Sequence, residues 1–243
     1  MVGFRRGRYV ARFAQTPAEV ADTKRLRNLC FRGTEDSLDQ DQFDDTCEHV
    51  MVEESASGML VCCFRLLPFE NGQTIDGSYA AQFYDLDLLR AYDGRMVEMG
   101  RFCIHPDVRD PDVLRVAWAA MTEYVDREGV ELLFGCSSFQ GTEADAYMDA
   151  FALLKDRHLA PKRWLPRVKA PRVFRFANRL KLRKPNLKLA MKGMPPLLRT
   201  YLLMGGWVSD HAVVDKDLNT LHVFTGVEIG AIPASRKRLL RAT

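Results

Sequence analysis

Apolar positions along the chain fall into two kinds of run, stripes at helical spacing and near-continuous blocks of strand length. Thr16-Pro17-Ala18-Glu19 reads as a capping box with proline at the first helical position, and Val20, Leu26 and Leu29 follow at roughly helical spacing. This predicts a helix to about Arg32. Gly58 to Leu67 predicts a buried strand stopped by Pro68, with a shorter partner strand from His49 to Glu53. Val97 to Ile104 predicts another strand. Asp110-Pro111-Asp112 opens a second helix whose Leu114, Ala117, Trp118, Met121 and Val125 form one stripe ending before Gly129. Glu131 to Phe139 predicts a strand and Thr142 to about Arg157 a helix. The central order of strand, strand, helix, strand, helix implies a mixed α/β layered domain with a right-handed crossover. Beyond Ala160 prolines recur and apolar residues come in short clusters, the pattern of an appendage or mobile arm. Two last strands are predicted within Gly205–Asp217 and Asn219–Ile229.

Charge sharpens this division. The 243 residues carry 35 Lys or Arg against 32 Asp or Glu, a net +3. Arg157 to Ser209 holds 14 of the bases and no acid, which leaves 21 bases and 32 acids elsewhere. No run of about 20 apolar residues is present to span a bilayer. Met1 to Arg12 is basic and does not resemble a signal peptide. The six cysteines lie mostly among apolar residues without C-x-x-C spacing, against a zinc site or disulfide framework. The expectation is a reduced, cytosolic chain.

The most informative chemistry lies in Val97-Glu98-Met99-Gly100-Arg101-Phe102-Cys103-Ile104. Burying either charge without partners costs several kcal/mol. Residues three apart on a regular strand face opposite sides, so Glu98 and Arg101 share a cleft only if the ladder is interrupted, most easily at Gly100. They line a site, or they form a structural ion pair beside a bulge.

Three stretches then combine: Arg25 with Phe31 in the first helix, Phe64-Arg65-Leu66-Leu67-Pro68, and Glu98-Met99-Gly100-Arg101-Phe102. Together with Asp41 and Asp44 they resemble the acyl-homoserine lactone synthase branch of the GNAT acyltransferases. Arg101-Phe102-Cys103-Ile104-His105-Pro106, Phe134-Gly135-Cys136-Ser137-Ser138-Phe139 and Gly206-Trp207-Val208-Ser209-Asp210-His211 are similar to its lipid-making relatives, the ornithine N-acyltransferases of ornithine lipid synthesis. The resemblance implies a mostly antiparallel central sheet with a bulged, splayed central strand flanked by helices. It implies a catalytic core over 1–160, a basic amphipathic arm over 161–204, and strands over 205–243 that complete the core. It further implies transfer of a 3-hydroxy fatty acyl group from the 4'-phosphopantetheine of acyl carrier protein to the α-amine of ornithine, with no bound cofactor. Relatives that acylate glycine or glutamine share the pattern.

Thioester aminolysis needs a neutral amine, an oxyanion site and a route for the departing proton. Glu98 is the candidate base, and a bulge over Gly100 to Phe102 offers backbone N–H donors to the oxyanion. Glu98, Arg101, Phe102 and Cys103 form the candidate catalytic stretch, although Cys103 suits a small buried hydrophobe better than a nucleophile. Arg101 suits the acceptor's carboxylate through its planar fork, and Arg65 does the same or holds Glu98. Arg25, Phe31, Asp41, Asp44, Arg65, Ser137 and Ser138 are the candidate substrate contacts. The turn Arg109-Asp110-Pro111-Asp112 lacks the glycines that cradle a coenzyme A pyrophosphate, which favours carrier protein over free coenzyme A.

In Pro171 to Lys184, Arg172, Arg175, Arg179 and Arg183 fall on one helical face, opposite Val173, Phe176, Ala177 and Leu180. The readings are a helix on anionic membrane lipid, a dock for acidic carrier protein in which Arg109 joins, or a solvated basic face. The first places the protein at the inner face of the cytoplasmic membrane. No nucleic-acid motif accompanies the bases, and the histidines lack metal-ligand spacing. The rival functions are a quorum-signal synthase acting on S-adenosylmethionine and a non-catalytic lipid- or nucleic-acid-binding module.

Overall fold

The computed structural model describes residues 4–241. Its elements are β1 (Phe4–Arg6), β2 (Tyr9–Phe13), α1 (Pro17–Arg32), β3 (Glu48–Glu54), β4 (Leu60–Phe69), β5 (Tyr84–Asp85), β6 (Met96–Ile104), α2 (Pro111–Glu128), β7 (Leu132–Gln140) and α3 (Met148–Arg157). They continue as β8 (Arg167–Val168), β9 (Val173–Phe174), α4 (Phe176–Arg179), α5 (Leu187–Gly193), α6 (Pro196–Leu203), β10 (Trp207–Val208), β11 (Ala212–Asp215), β12 (Thr220–Glu228) and α7 (Ala234–Arg241). The chain divides into two compact units. The first holds the chain up to Pro68, Met99–Val130 and the segment from Ala234, and the second holds Phe69–Glu98 and Glu131–Pro233.

In the first unit, β1 to β4 pair antiparallel in sequence order. Helix α1 starts where the sequence predicts: Thr16 accepts from the Glu19 N–H, the Glu19 side chain takes the Thr16 N–H, and Gly33 closes the helix at φ 78°. Helix α2 is capped by Asp110 and closed by Gly129 at φ 65°, burying Val113, Val116, Ala117, Ala120 and Tyr124. In the second unit, β6 runs parallel to β7 from Met96–Leu132 to Glu98–Phe134. Strand β7 pairs antiparallel with β12 over nine residues, and β11 and β9 follow outward. Its core joins Phe139, Phe151, Leu198, Leu221 and Val223 to Phe176, Leu180, Ala190 and Met194 from the basic segment.

Three expectations need correction. Pro68 does not stop β4, which continues to Phe69; the exposed proline lies beyond the last pair with β3, Leu66–Glu48. The segment from Thr142 is not one helix but a 3-10 turn over Ala144–Tyr147 followed by α3. Pro171 to Lys184 is not a long amphipathic helix: α4 has four residues, and Phe176 and Leu180 are turned into the core rather than outward. The hairpin of β1 and β2, in which Tyr9, Ala11 and Phe13 alternate inward, is an addition to the predicted elements.

Candidate functional site

The first unit contains a buried network of three guanidinium groups and three carboxylates. Arg27 enters from α1, Arg65 from β4 and Arg101 from β6, while Asp39, Asp41 and Asp44 come from the loop between α1 and β3. Arg27 donates from Nε to Asp39 Oδ2 at 2.8 Å and from Nη1 to Asp44 Oδ1 at 2.6 Å. Arg65 forks onto Asp41 at 2.6 and 2.8 Å and reaches Asp44 Oδ1 at 2.6 Å. Arg101 donates from Nε to Asp39 Oδ2 at 2.9 Å and from Nη2 to Asp41 Oδ2 at 3.0 Å. Charge-assisted, bidentate bonds of this kind compensate desolvation that unpaired charges do not survive.

The network has a sealed end and an open end. Arg27, Asp39, Asp44 and Arg65 are at most 3% exposed, whereas Arg101 is 11% and Asp41 21% exposed. Burial by itself raises the Asp44 pKa, yet the hydrogen bond and charge of Arg27, with the charge of Arg65, hold that carboxyl well below the usual range. The same competition, with Arg65 as partner, lowers the pKa of Asp41. His49 lies beneath, its Nε2 at 3.0 Å from the Asp44 carbonyl oxygen, with its pKa lowered by burial.

Arg101 is the feature that separates this site from an ordinary strand. Its φ is 54°, in the left-handed region that costs a non-glycine residue about 1–3 kcal/mol. The sequence places the interruption at Gly100, but the positive φ falls one residue later. Gly100 faces Arg65, whose Nε lies 3.6 Å from where a Cβ would stand, an ordinary van der Waals contact. Two carboxylates draw the Arg101 guanidinium and offset the strained backbone. Phe102 stacks on Phe64 with ring centroids 5.6 Å apart. Cys103 is buried with its Sγ 3.5 Å from that of Cys63. A hydrogen bond with Cys30 lowers the Cys103 pKa, but Cys63 and burial push it well above the usual thiol range, opposite to an activated nucleophile. Phe31 packs beside these thiols.

Glu98 belongs to the second unit and is buried. Its carboxylate accepts the backbone N–H of Tyr79 at 2.7 Å and of Ala80 at 2.8 Å, so it tethers the connection between β4 and β6. Ser137 is buried and accepts from Thr225 Oγ1 at 2.9 Å, while Ser138 is exposed. Arg25 lies outside the network, exposed and paired with Asp22 at 2.6 Å. Arg109, Arg172, Arg175 and Arg179 are exposed, and Arg183 pairs with Asp149 at 3.1 Å.

Sequence reasoning missed Arg27 and Asp39. A signal for Arg27 is present: it stands seven residues after Val20, on the same helical face as Thr23, whereas Arg25 faces away. No short-range pattern marks Asp39 or the Tyr79–Ala80 tether. Among the described residues no group of three or more His, Cys, Asp or Glu side chains is placed to hold a metal ion, and no helix is long and apolar enough to cross a membrane.

Comparison with known proteins agrees with this architecture. Residues 27–119, which include the whole network, match the acetyltransferase (GNAT) domain. An L-ornithine N(alpha)-acyltransferase of Rhodobacter capsulatus is 32% identical over 230 residues, covering 88% of each chain. One of Brucella abortus with the same name is 30% identical over 193 residues, covering 76% of this chain and 68% of its own. The structure of FeeM, an N-acyl amino acid synthase from uncultured soil microbes, aligns with a TM-score of 0.50 at 10% identity over 92% of each chain, a likeness of fold. With the E-x-x-R-F strand, its left-handed Arg101 and the domain match already in view, identity at that level over nearly the whole chain means that this protein belongs to the L-ornithine N(alpha)-acyltransferase family and is a GNAT-fold acyltransferase.

Proposed function

We propose that the enzyme moves a 3-hydroxy fatty acyl group from the phosphopantetheine thioester of acyl carrier protein to the α-amine of ornithine, giving a lyso-ornithine lipid. The observation that carries this reading is the 88% mutual coverage with the Rhodobacter capsulatus L-ornithine N(alpha)-acyltransferase. The open end of the buried network supports it chemically. Arg101 and Asp41 stand 3.0 Å apart as cation and anion, a complement to an amino acid that brings a carboxylate and ammonium groups. In this reading Arg101 takes the acceptor's carboxylate and Asp41 an ammonium. Glu98 is the proposed base, receiving the α-ammonium proton directly or through water. The neutral nitrogen attacks the thioester carbon, and N–H groups around Arg101 stabilise the oxyanion. The C–N bond forms, the C–S bond breaks, and the phosphopantetheine thiolate leaves and is protonated.

The acidic helix start Asp110-Pro111-Asp112, in which the Asp110 side chain already occupies the Asp112 N–H, opposes a pyrophosphate and supports carrier protein as donor. We place the enzyme in the cytoplasm, peripheral to the inner face of the membrane, because its acid-free basic segment suits an anionic surface and its product is an amphiphile.

The test is mass spectrometry of products from 3-hydroxyacyl carrier protein with equimolar ornithine, glutamine, glycine, lysine and S-adenosylmethionine, repeated with acyl-coenzyme A in competition. N-acyl-ornithine drawn from the carrier is expected. A homoserine lactone, another acylated amino acid, or a preference for coenzyme A contradicts the corresponding part. Glu98→Gln is expected to lower turnover by about 10²- to 10⁴-fold with carrier binding retained.

A further inference from the structure

The basic segment presents a second set of charges with a different fate. Among the described residues, Leu182 is 95%, Leu187 48%, Leu189 53% and Met191 45% exposed, four of the five large hydrophobics this open, all within ten residues. They alternate with Lys181, Lys184, Lys188 and Lys192, which are exposed. The fold produces this arrangement. On α5 only Ala190 is buried, packing with Met194 into the core, so Leu187, Lys188, Leu189, Met191 and Lys192 all face outward. Residues 181–184 form the turn after α4, which Lys155 pins by donating to the carbonyl oxygens of Leu180 and Arg183 at 2.8 and 2.9 Å. Leu182 is thereby held at the surface by backbone bonds rather than by packing.

Leucines this exposed are a cost in water, and lysines interleaved with them extend their charged heads past an apolar layer. An acidic protein surface is satisfied by the lysines alone. A phospholipid bilayer uses both, with headgroups for the ammonium groups and acyl chains for the leucines and methionine. We propose that the surface from Lys181 to Lys192 seats the enzyme on anionic phospholipid, with Leu182, Leu187, Leu189 and Met191 inserted and the lysines at headgroup level. This rests on the peripheral location proposed above and supplies the residues for it. It also replaces the arginine face that the sequence suggests over 171–184, whose apolar side is spent on the core.

The test is co-sedimentation of the full chain with phosphatidylcholine vesicles with and without phosphatidylglycerol. The variants are Leu182→Ser/Leu187→Ser/Leu189→Ser and Lys184→Gln/Lys188→Gln/Lys192→Gln, all exposed positions outside the catalytic groups. Binding to the anionic vesicles is expected, with a loss of about fivefold per lysine removed and a loss of about tenfold or more in the leucine variant that persists at high salt. Circular dichroism and acyl transfer from soluble carrier protein are expected to stay at wild-type levels. If wild type ignores anionic vesicles, the peripheral location itself fails. If it binds and both variants bind equally well, only this surface fails. If the variants lose transfer from carrier protein while keeping vesicle affinity, the surface is a carrier dock and the proposal is overturned. Acyl transfer is read separately in every arm, so none of these outcomes depends on the identity of the acceptor.

Discussion

Arginines 27 and 65 and the lysines from 181 to 192 put the same charge to opposite uses. In the first unit these two guanidinium groups are buried against carboxylates that neutralise them, so their charge is spent on geometry: they fix the loop that carries Asp39, Asp41 and Asp44, against which Arg101 sits in a left-handed backbone. In the second unit the lysines stand in solvent beside exposed leucines, and their charge stays available to a partner. A paired buried charge positions, and an unpaired surface charge recruits. The first kind is expensive to disturb and the second cheap, which makes the comparison breakable by mutation.

The largest effect is expected inside the network. Asp44→Ala leaves Arg27 and Arg65 short of a shared partner in a region at most 3% exposed, and breaking such a buried pair costs about 3–5 kcal/mol. Urea unfolding measures it, and a loss below about 1 kcal/mol would mean that the carboxylate is not what holds these arginines.

A smaller, pH-dependent effect is shared by the two units. His49 in the first unit and His222 in the second both have pKa values lowered by burial, that of His222 down to about 3 with a further push from His211. A histidine whose folded pKa is depressed contributes stability above its unfolded value of about 6.5 and loses it as pH falls, at up to about 1.4 kcal/mol per pH unit per group. Unfolding midpoints measured from pH 7 to pH 5 are expected to fall, and His222→Phe is expected to remove part of that slope. A midpoint independent of pH would contradict the neutral buried state. The smallest effect is expected at Arg25, exposed and paired with the equally exposed Asp22: Arg25→Ala should change stability by less than about 0.5 kcal/mol and leave turnover intact.

What the sequence reveals follows the range of the forces involved. Local signals are legible: the Thr16–Glu19 box starts α1 and Gly129 ends α2 as read. The E-x-x-R-F strand with an interruption is also legible, although the break sits on Arg101 rather than Gly100 because a long-range pull from Asp39 and Asp41 selects the residue. The exchange of Arg25 for Arg27 has a similar origin. Both are arginines on one helix, and only the partner loop, with Asp39 and Asp44 brought within 2.8 Å, decides which is buried. The segment 161–204 shows the converse limit. Its composition announces a basic surface, and Arg172, Arg175 and Arg179 do lie outside, but short α4 and α5 turn Phe176, Leu180 and Ala190 into the core, so the apolar residues left outside are Leu182, Leu187, Leu189 and Met191 instead.

In the proposed function the buried network holds Arg101 for the acceptor's carboxylate. The most direct test of that role compares kcat/KM for ornithine with that for 1,4-diaminobutane, the same diamine without the carboxylate, in wild type and in Arg101→Met. A site that bonds a substrate's polar group discriminates strongly against the analogue that lacks that group. The account predicts that wild type favours ornithine by about a thousandfold or more and that Arg101→Met brings the ratio to within about tenfold. An unchanged ratio in a variant that still turns over would contradict it.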